Sequence, residues 1–230
     1  MAKNARVFER VVKEIAASIH SGELPESAML PSERDLAEKY GVSRVSVREA
    51  LLSLQTSGLI RMRDRARAQV MRLESTNLLN PLAGTAQSLL SRPGGVSDFQ
   101  EARILLECGL ARHAARYASP KEIERLGQAL LANRRAIGDQ DSFVTTDLAF
   151  HTVLAEIPQN DIFIALNAAL GGWLLEQRRI SVRARGAERR AYQHHEAIFE
   201  AIAKHDPEAA DRAMSSHLTV GARIIRSLQH

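Results

Sequence analysis

The chain has 230 residues, enough for two modest domains, and its 45% apolar and 25% charged residues are typical of a folded globular protein rather than a disordered one. No apolar run approaches the roughly 18 to 20 residues that span a membrane, and the N-terminus lacks a signal-peptide pattern, so we expect a cytoplasmic protein with no membrane partner. The net charge of +4 permits a nucleic-acid partner without requiring one.

Three helices are predicted in the first sixty residues. Apolar residues recur on one side of a helix from Arg6 to His20. Ser32 is a predicted N-cap for a second helix, Asp35 completes its capping box, and Gly41 ends it. After a tight turn, Ser43 caps a third helix with four apolar residues on one face: Val47, Ala50, Leu51 and Leu54. Two short helices joined by such a turn predict a helix-turn-helix.

The free face of the third helix begins with Arg44, Ser46 and Arg48. An arginine can form two parallel hydrogen bonds with guanine or hold a phosphate, and a serine hydroxyl can bond a base edge or a backbone oxygen. We therefore predict that these residues, together with Ser43, contact DNA.

A basic pattern follows the third helix. The segment from Leu59 to Arg63 alternates apolar and basic residues, as a half-exposed strand does. Arginines recur at every second position: Arg61, Arg63, Arg65 and Arg67. On two paired strands they would form one basic row along a phosphate backbone, which predicts a wing. The alternative is an ordinary solvated charged face.

The rest of the chain is predicted to be helical. Residues 73–82 form the predicted linker, and residues such as Ser97, Ser119, Asp139 and Asn160 are plausible helix starts. The predicted helices span 83–91, 97–117, 120–137, 140–157, 161–184, 187–204 and 207–228. The predicted fold class is therefore mainly α: an N-terminal winged helix-turn-helix domain (1–72) followed by an antiparallel all-α bundle (83–230).

One set of residues in the bundle has possible metal chemistry. Asp147 and His151 are spaced i, i+4 and so share a helix face, while His195 and His217 lie on later helices. Three imidazoles and one carboxylate can hold a divalent ion. The alternative is that Asp147 and His151 form an ordinary pair on a helix surface, which is common, and that the other histidines are structural. His194 lies about 100° around the helix from His195 and is expected not to take part.

The N-terminal residues resemble the DNA-binding domain of GntR-family transcription regulators. The resemblance rests on four segments: 30–37 with Leu30, Pro31, Ser32, Glu33, Arg34, Leu36 and Ala37; Gly41 to Arg44; Val47 to Leu51 with Leu54; and Gly58 to Ile60. It implies that Arg34, Arg44 and Arg48 touch operator DNA and that the wing tip enters the minor groove. This chain has Arg65 and Arg67 where the family usually has glycines, and arginines favour a narrow minor groove.

The C-terminal residues resemble the FCD ligand-binding domain of the FadR subfamily. The resemblance rests on Arg103 to Glu107, Asp147 with Phe150 and His151, Asn160, His195 with Ile198, and Met214 with His217 and Leu218. It implies a transition metal, most often zinc or nickel, held by Asp147, His151, His195 and His217, with a small organic acid bound beside it. Arg103 is the expected effector-contacting arginine, with a salt bridge to Glu107 as the alternative.

Two other side chains of this region carry weaker expectations. Trp173 is expected in the core, although it could line an effector cavity. The arginines of one basic stretch are expected to be solvated, although one of them could reach an acidic ligand: Arg178, Arg179, Arg183 and Arg185.

These features together predict a transcription regulator, most often a repressor in this family, that acts as a homodimer on a palindromic operator and is not an enzyme. A regulator that needs no metal and binds a larger acyl ligand is one alternative. A metalloenzyme is another, but no general base separate from the ligands is recognisable, and the DNA-binding half would be unexplained.

Overall fold

The computed structural model describes residues 2–62, 67–71 and 79–228. Two compact units divide the chain, one covering residues 1–81 and the other residues 82–230. Of the predicted linker, residues 73–78 lie outside the described part of the chain. The functional limits of the two domains stay a prediction. No helix in the described ranges is both long and apolar enough to cross a membrane.

The described residues of the first unit form three helices, whose bounds are α1 Ala2–His20, α2 Glu33–Tyr40 and α3 Arg44–Thr56. The capping box at the start of α2 is present: the Asp35 amide donates to the Ser32 hydroxyl, and the Ser32 amide donates to the Asp35 carboxylate. Gly41 ends α2 with a φ of 64°, a left-handed conformation that glycine adopts without steric cost. The helix-turn-helix is thus defined by local capping.

A two-stranded antiparallel sheet follows, with β1 at Ile60–Arg61 and β2 at Gln69–Val70. Ile60 pairs with Val70, and both are buried. They extend one core that also contains residues from all three helices: Val11, Ile15, Leu36, Val47, Ala50, Leu51 and Leu54. Burying these side chains stabilises the unit through the hydrophobic effect, and the sheet forms the predicted wing.

The second unit is helical throughout its described residues. Its helices are α4 Ala83–Leu90, α5 Gly95–Tyr117, α6 Pro120–Arg135, α7 Gln140–Glu156, α8 Asp161–Trp173, α9 Leu175–Val182, α10 Ala187–Ala203 and α11 Pro207–Leu228. Helix α11 packs on α5 and α10, and α6 packs on α7. Cys108 is buried in this core. The predicted fold class is confirmed.

One helix prediction in this unit is wrong. The predicted helix 161–184 is two helices that meet at Leu174, two residues after the weak helix formers Gly171 and Gly172. Helix α5 begins at Gly95, two residues before the predicted start, because Gly94 adopts a left-handed conformation with a φ of 83° that lets the chain turn into the helix there.

Candidate metal centre and DNA-binding surface

Four side chains predicted to bind metal lie together in the second unit. Helix α7 supplies Asp147 and His151 from one face, α10 supplies His195, and α11 supplies His217. One donor atom from each lies within 4.8 Å of the others. Asp147, His151 and His195 are buried, and His217 is partly exposed. The packing of three helices therefore brings together residues far apart in sequence.

The atoms that meet are the Nε2 atoms of the three imidazoles and one carboxylate oxygen. Nε2 of His195 lies 3.2 Å from Nε2 of His217 and 3.4 Å from Oδ1 of Asp147. Nε2 of His217 lies 3.3 Å from Nε2 of His151. Four donors in so small a volume match the number and kind of ligands that zinc takes in proteins.

Hydrogen bonding around Asn133 determines which nitrogen of His195 carries a proton. The hydroxyl of Thr146 donates to the carbonyl of Ser142 at 2.9 Å, so its oxygen accepts from Nδ2 of Asn133 at 3.1 Å. Oδ1 of Asn133 is then the acceptor that lies 3.0 Å from Nδ1 of His195. Nδ1 must donate, and Nε2 faces the other ligands with its lone pair.

Glu107 fixes the tautomer of His151 in the same way. Its carboxylate contacts Nδ1 of His151. Burial alone would raise the pKa of Glu107, but the charge of Arg103 and the hydrogen bond from His151 hold it well below its usual value. An ionised carboxylate can only accept, so Nδ1 of His151 carries the proton and Nε2 is left unprotonated, as a metal ligand must be.

Burial also keeps two of the imidazoles neutral. It lowers the pKa of His195 to about 3, against the opposing effect of Asp147. Burial lowers the pKa of His217 well below its usual value as well. Metal ions bind the neutral imidazole, so these residues need lose no proton near pH 7. The residues present thus fit a divalent transition metal.

Replacing Asn133 with alanine is expected to lower metal affinity about 10- to 100-fold, since the hydrogen bond that orients His195 is lost. Zinc affinity measured by competition with a chromophoric chelator tests this expectation. The control is Asn167→Ala, which replaces a buried asparagine of α8 and should leave zinc affinity unchanged. Equal affinities for the Asn133 variant and the wild type would mean that the contact does not support the metal centre.

Arg178 corrects the sequence analysis, which placed it in solvent with its neighbours. Its side chain is buried, and Nη1 donates to Oδ2 of Asp147. Burial alone would raise the pKa of Asp147, but the charge of Arg178 holds it below its usual value. The spacing of Leu174, Arg178 and Val182, all buried, is the signal that sequence reasoning missed.

Arg103 has the salt bridge that was its alternative role. Nε donates to Oε1 of Glu107, and Nη2 lies 3.3 Å from Nε2 of His151. The side chain also lines a cavity beside the metal-ligand group, so a contact with an effector stays a prediction. The other polar residues that line this cavity are Gln100, Asp147, Arg178, Ser181, Arg190, His194 and His217.

Trp173 does not line this cavity, and His194 lines it without being a metal ligand. The Trp173 ring contacts Phe99 edge-on, with centroids 5.6 Å apart, and Trp173 is absent from the cavity wall. His194 lines the cavity with its ring 5.9 Å from that of His217, but it is outside the four-ligand group.

The predicted DNA contacts lie in the first unit. Arg34 of α2 and Arg44 and Arg48 of α3 are exposed. The Ser43 hydroxyl accepts from the Ser46 amide at 3.1 Å and lies 2.9 Å from the Ser46 hydroxyl, so both serines help to cap the helix. Their contact with DNA stays a prediction.

The wing is described only in part. Arg61 on β1 and Arg67 are exposed, as a basic row requires. Arg63 and Arg65 lie outside the described residues, so the predicted row and its contact with the minor groove stay predictions.

Comparison with known proteins identifies both units. Residues 8–70 match the gntR family of bacterial regulatory proteins, and residues 98–220 match the FCD domain. The HTH-type transcriptional repressor NanR of Cronobacter sakazakii is 41% identical over 93% of this chain and 83% of its own length. NanR of Escherichia coli K12 is 40% identical over 93% of this chain and 82% of its own.

A solved structure agrees with these matches. The GntR protein of Streptococcus agalactiae superposes with a TM-score of 0.72 at 25% identity, over 94% of this chain and 98% of that one. The relatives are regulators, which confirms that the chain is not an enzyme. The chain belongs to the GntR family of bacterial regulatory proteins and carries an FCD domain after its winged helix-turn-helix.

Proposed function

We propose that this chain is a transcriptional repressor that binds a short palindromic operator as a homodimer and responds to a small organic acid at a metal site in its helical domain. The name of the NanR relatives, transcriptional repressors at 40% and 41% identity, supports repression. Helix-turn-helix proteins usually bind two half-sites about one helical turn apart, which supports a twofold-symmetric dimer.

The observation that carries the metal site is the fixed orientation of the imidazoles. Asn133 and Glu107 hold Nδ1 of His195 and His151, so Nε2 of each is unprotonated. Nε2 of His195 lies 3.4 Å from Oδ1 of Asp147, and Nε2 of His151 lies 3.3 Å from Nε2 of His217. Zinc or nickel is the proposed ion, since imidazole and carboxylate suit both. When bound, the ion supplies a positive charge that attracts a carboxylate.

Charge balance supports an acidic effector. The buried charged side chains of this region are Arg103, Glu107, Asp147 and Arg178, whose charges sum to zero. A divalent ion would leave the region with an excess of positive charge in a poorly solvated place. Such an excess is costly unless an anion compensates it.

Arg178 is the stronger candidate for contact with the effector carboxylate, alongside the predicted Arg103. Arg103 already donates to Glu107 and contacts His151. Nε of Arg178 is buried and has no acceptor among the described residues, although the side chain lines the cavity. A buried N–H without a partner is unfavourable, and a ligand carboxylate would satisfy it.

Replacing Arg178 with lysine is expected to weaken effector binding about tenfold, since lysine keeps the charge near Asp147 but offers no second N–H in the guanidinium plane. Calorimetry with the carboxylic acid that releases the operator duplex measures this loss of affinity. The metal content of the variant should stay unchanged. Arg179→Lys, at an exposed neighbour, is the control. If Arg103→Lys weakens binding and Arg178→Lys does not, Arg103 is the effector contact.

The regulatory mechanism that fits this arrangement is a population shift. The cavity wall includes residues of α5, α7, α9, α10 and α11, so an acid bound there contacts most of the bundle. An acid that binds one arrangement of these helices better than another shifts the population toward it. If the two arrangements hold the recognition helices of a dimer differently, operator affinity changes.

The test uses full-length protein purified without chelator. Elemental analysis and native mass spectrometry measure subunit number, metal and any bound acid, and duplexes are selected from a random-sequence DNA library. A panel of mono-, di- and tricarboxylic acids is then tested for release of the selected duplex. A dimer with one metal per subunit, a palindromic duplex and release by an acid are expected.

Other outcomes would contradict separate parts of the proposal. A protein without metal that still binds a palindrome would exclude the metal mechanism and favour a larger acyl effector. Failure to select any duplex would contradict operator binding itself.

A further inference from the structure

An exposed apolar residue lies in the first turn of α3, on the face proposed to contact DNA. Val45 is 68% exposed, although the other valine of this turn, Val47, is fully buried. At about 100° per residue, Val45 lies almost opposite the middle of the buried face of the helix. A β-branched residue at that position contributes nothing to the core and is not a favoured helix former, so neither packing nor helix propensity accounts for it.

The neighbours of Val45 place it where bases are read. Arg44 precedes it and Arg48 follows one turn later, and both are exposed. The N-terminal residues of a recognition helix are those that contact base edges in the major groove. The hydroxyls of Ser43 and Ser46 hydrogen-bond to each other at 2.9 Å and are engaged in the helix cap. Val45 is therefore the apolar contact that this turn offers to the groove.

The major groove contains one apolar group that distinguishes a base, the C5 methyl of thymine. We infer that Val45 packs against a thymine methyl and so specifies a T·A pair in each half-site, next to the pairs that Arg44 and Arg48 contact. This inference rests on the proposed binding of operator DNA. It adds a sequence preference that arginine contacts alone do not provide, since a guanidinium favours guanine or phosphate.

The test replaces thymine with deoxyuridine, which lacks only the C5 methyl. The probe is the duplex selected by the wild-type protein from a random library, with each thymine of one half-site replaced in turn. At one position, affinity should fall about fourfold, the factor that corresponds to one methyl group removed from water. Fluorescence anisotropy measures each dissociation constant.

Two matched variants assign the effect to Val45. The Val45→Ser variant should bind the thymine duplex and the duplex with deoxyuridine at that position with equal affinity. Leu52→Ser should keep the fourfold difference, because Leu52 is also exposed on this face, at 49%, but lies two turns further from the start of the helix.

Each remaining outcome overturns the inference. The inference is wrong if the selected half-site contains no thymine, or if the wild type binds the deoxyuridine duplexes as tightly as the thymine duplex at every position. It is also wrong if the Val45→Ser variant keeps the fourfold difference. These results leave operator binding intact, whereas failure to select any duplex contradicts the proposed function as well.

Discussion

Replacing His151 with alanine is expected to abolish stoichiometric metal binding, with an affinity at least about 100-fold below that of the wild type. Loss of an outer hydrogen-bond partner costs 10- to 100-fold, and loss of a ligand removes a bond to the ion itself. The three remaining donors, Asp147, His195 and His217, would form an incomplete set. Since the proposed acid binds beside the ion, the variant should also keep its DNA bound when acids are added.

His194→Ala is the matched control for this prediction. His194 precedes His195 and lines the same cavity, but it is outside the four-ligand group. Zinc affinity from chelator competition and metal content from elemental analysis are the measurements, with circular dichroism to verify that both variants remain helical. A His151→Ala protein that keeps one metal ion per subunit would contradict the assignment of the ligands.

Local signals explain which parts of the fold the sequence predicts well. The capping box of Ser32 and Asp35 and that of Ser119 and Glu122 each depend on residues three positions apart, so the sequence alone contains them. The interruption at Leu174 was missed because two glycines lower helix propensity without dictating a break. Whether the helix continues there depends on the packing of Leu174 into the bundle.

The candidate site divides in the same way. The i, i+4 spacing predicts that Asp147 and His151 share a face, but their convergence with His195 and His217 was expected mainly from the family resemblance. The supporting contacts of Asn133, Glu107 and Arg178 depend on which helices pack together. A long basic side chain is usually solvated, and the spacing of Arg178 with Leu174 and Val182 is too weak a signal to predict the burial of Arg178 beside Asp147.

Replacing Arg44 with alanine is expected to cause a large loss of affinity for the specific DNA duplex. One arginine that contacts a base in two places contributes about 1–3 kcal/mol, and a symmetric dimer contains two copies of it. The expected loss is therefore about 2–6 kcal/mol, or roughly 30-fold to more than 10⁴-fold in the dissociation constant. Arg44 is exposed at the first turn of α3, so the variant should remain folded.

A comparison of specific and nonspecific DNA separates base reading from phosphate binding in this prediction. If Arg44 reads a base, Arg44→Ala should lose affinity for the selected duplex far more than for random DNA. If it only holds a phosphate, both affinities fall alike and the salt dependence decreases. Arg135→Ala, at an exposed arginine of α6, is the control and should bind both duplexes as the wild type does. Unchanged affinity for the selected duplex in Arg44→Ala would mean that α3 is not the recognition helix.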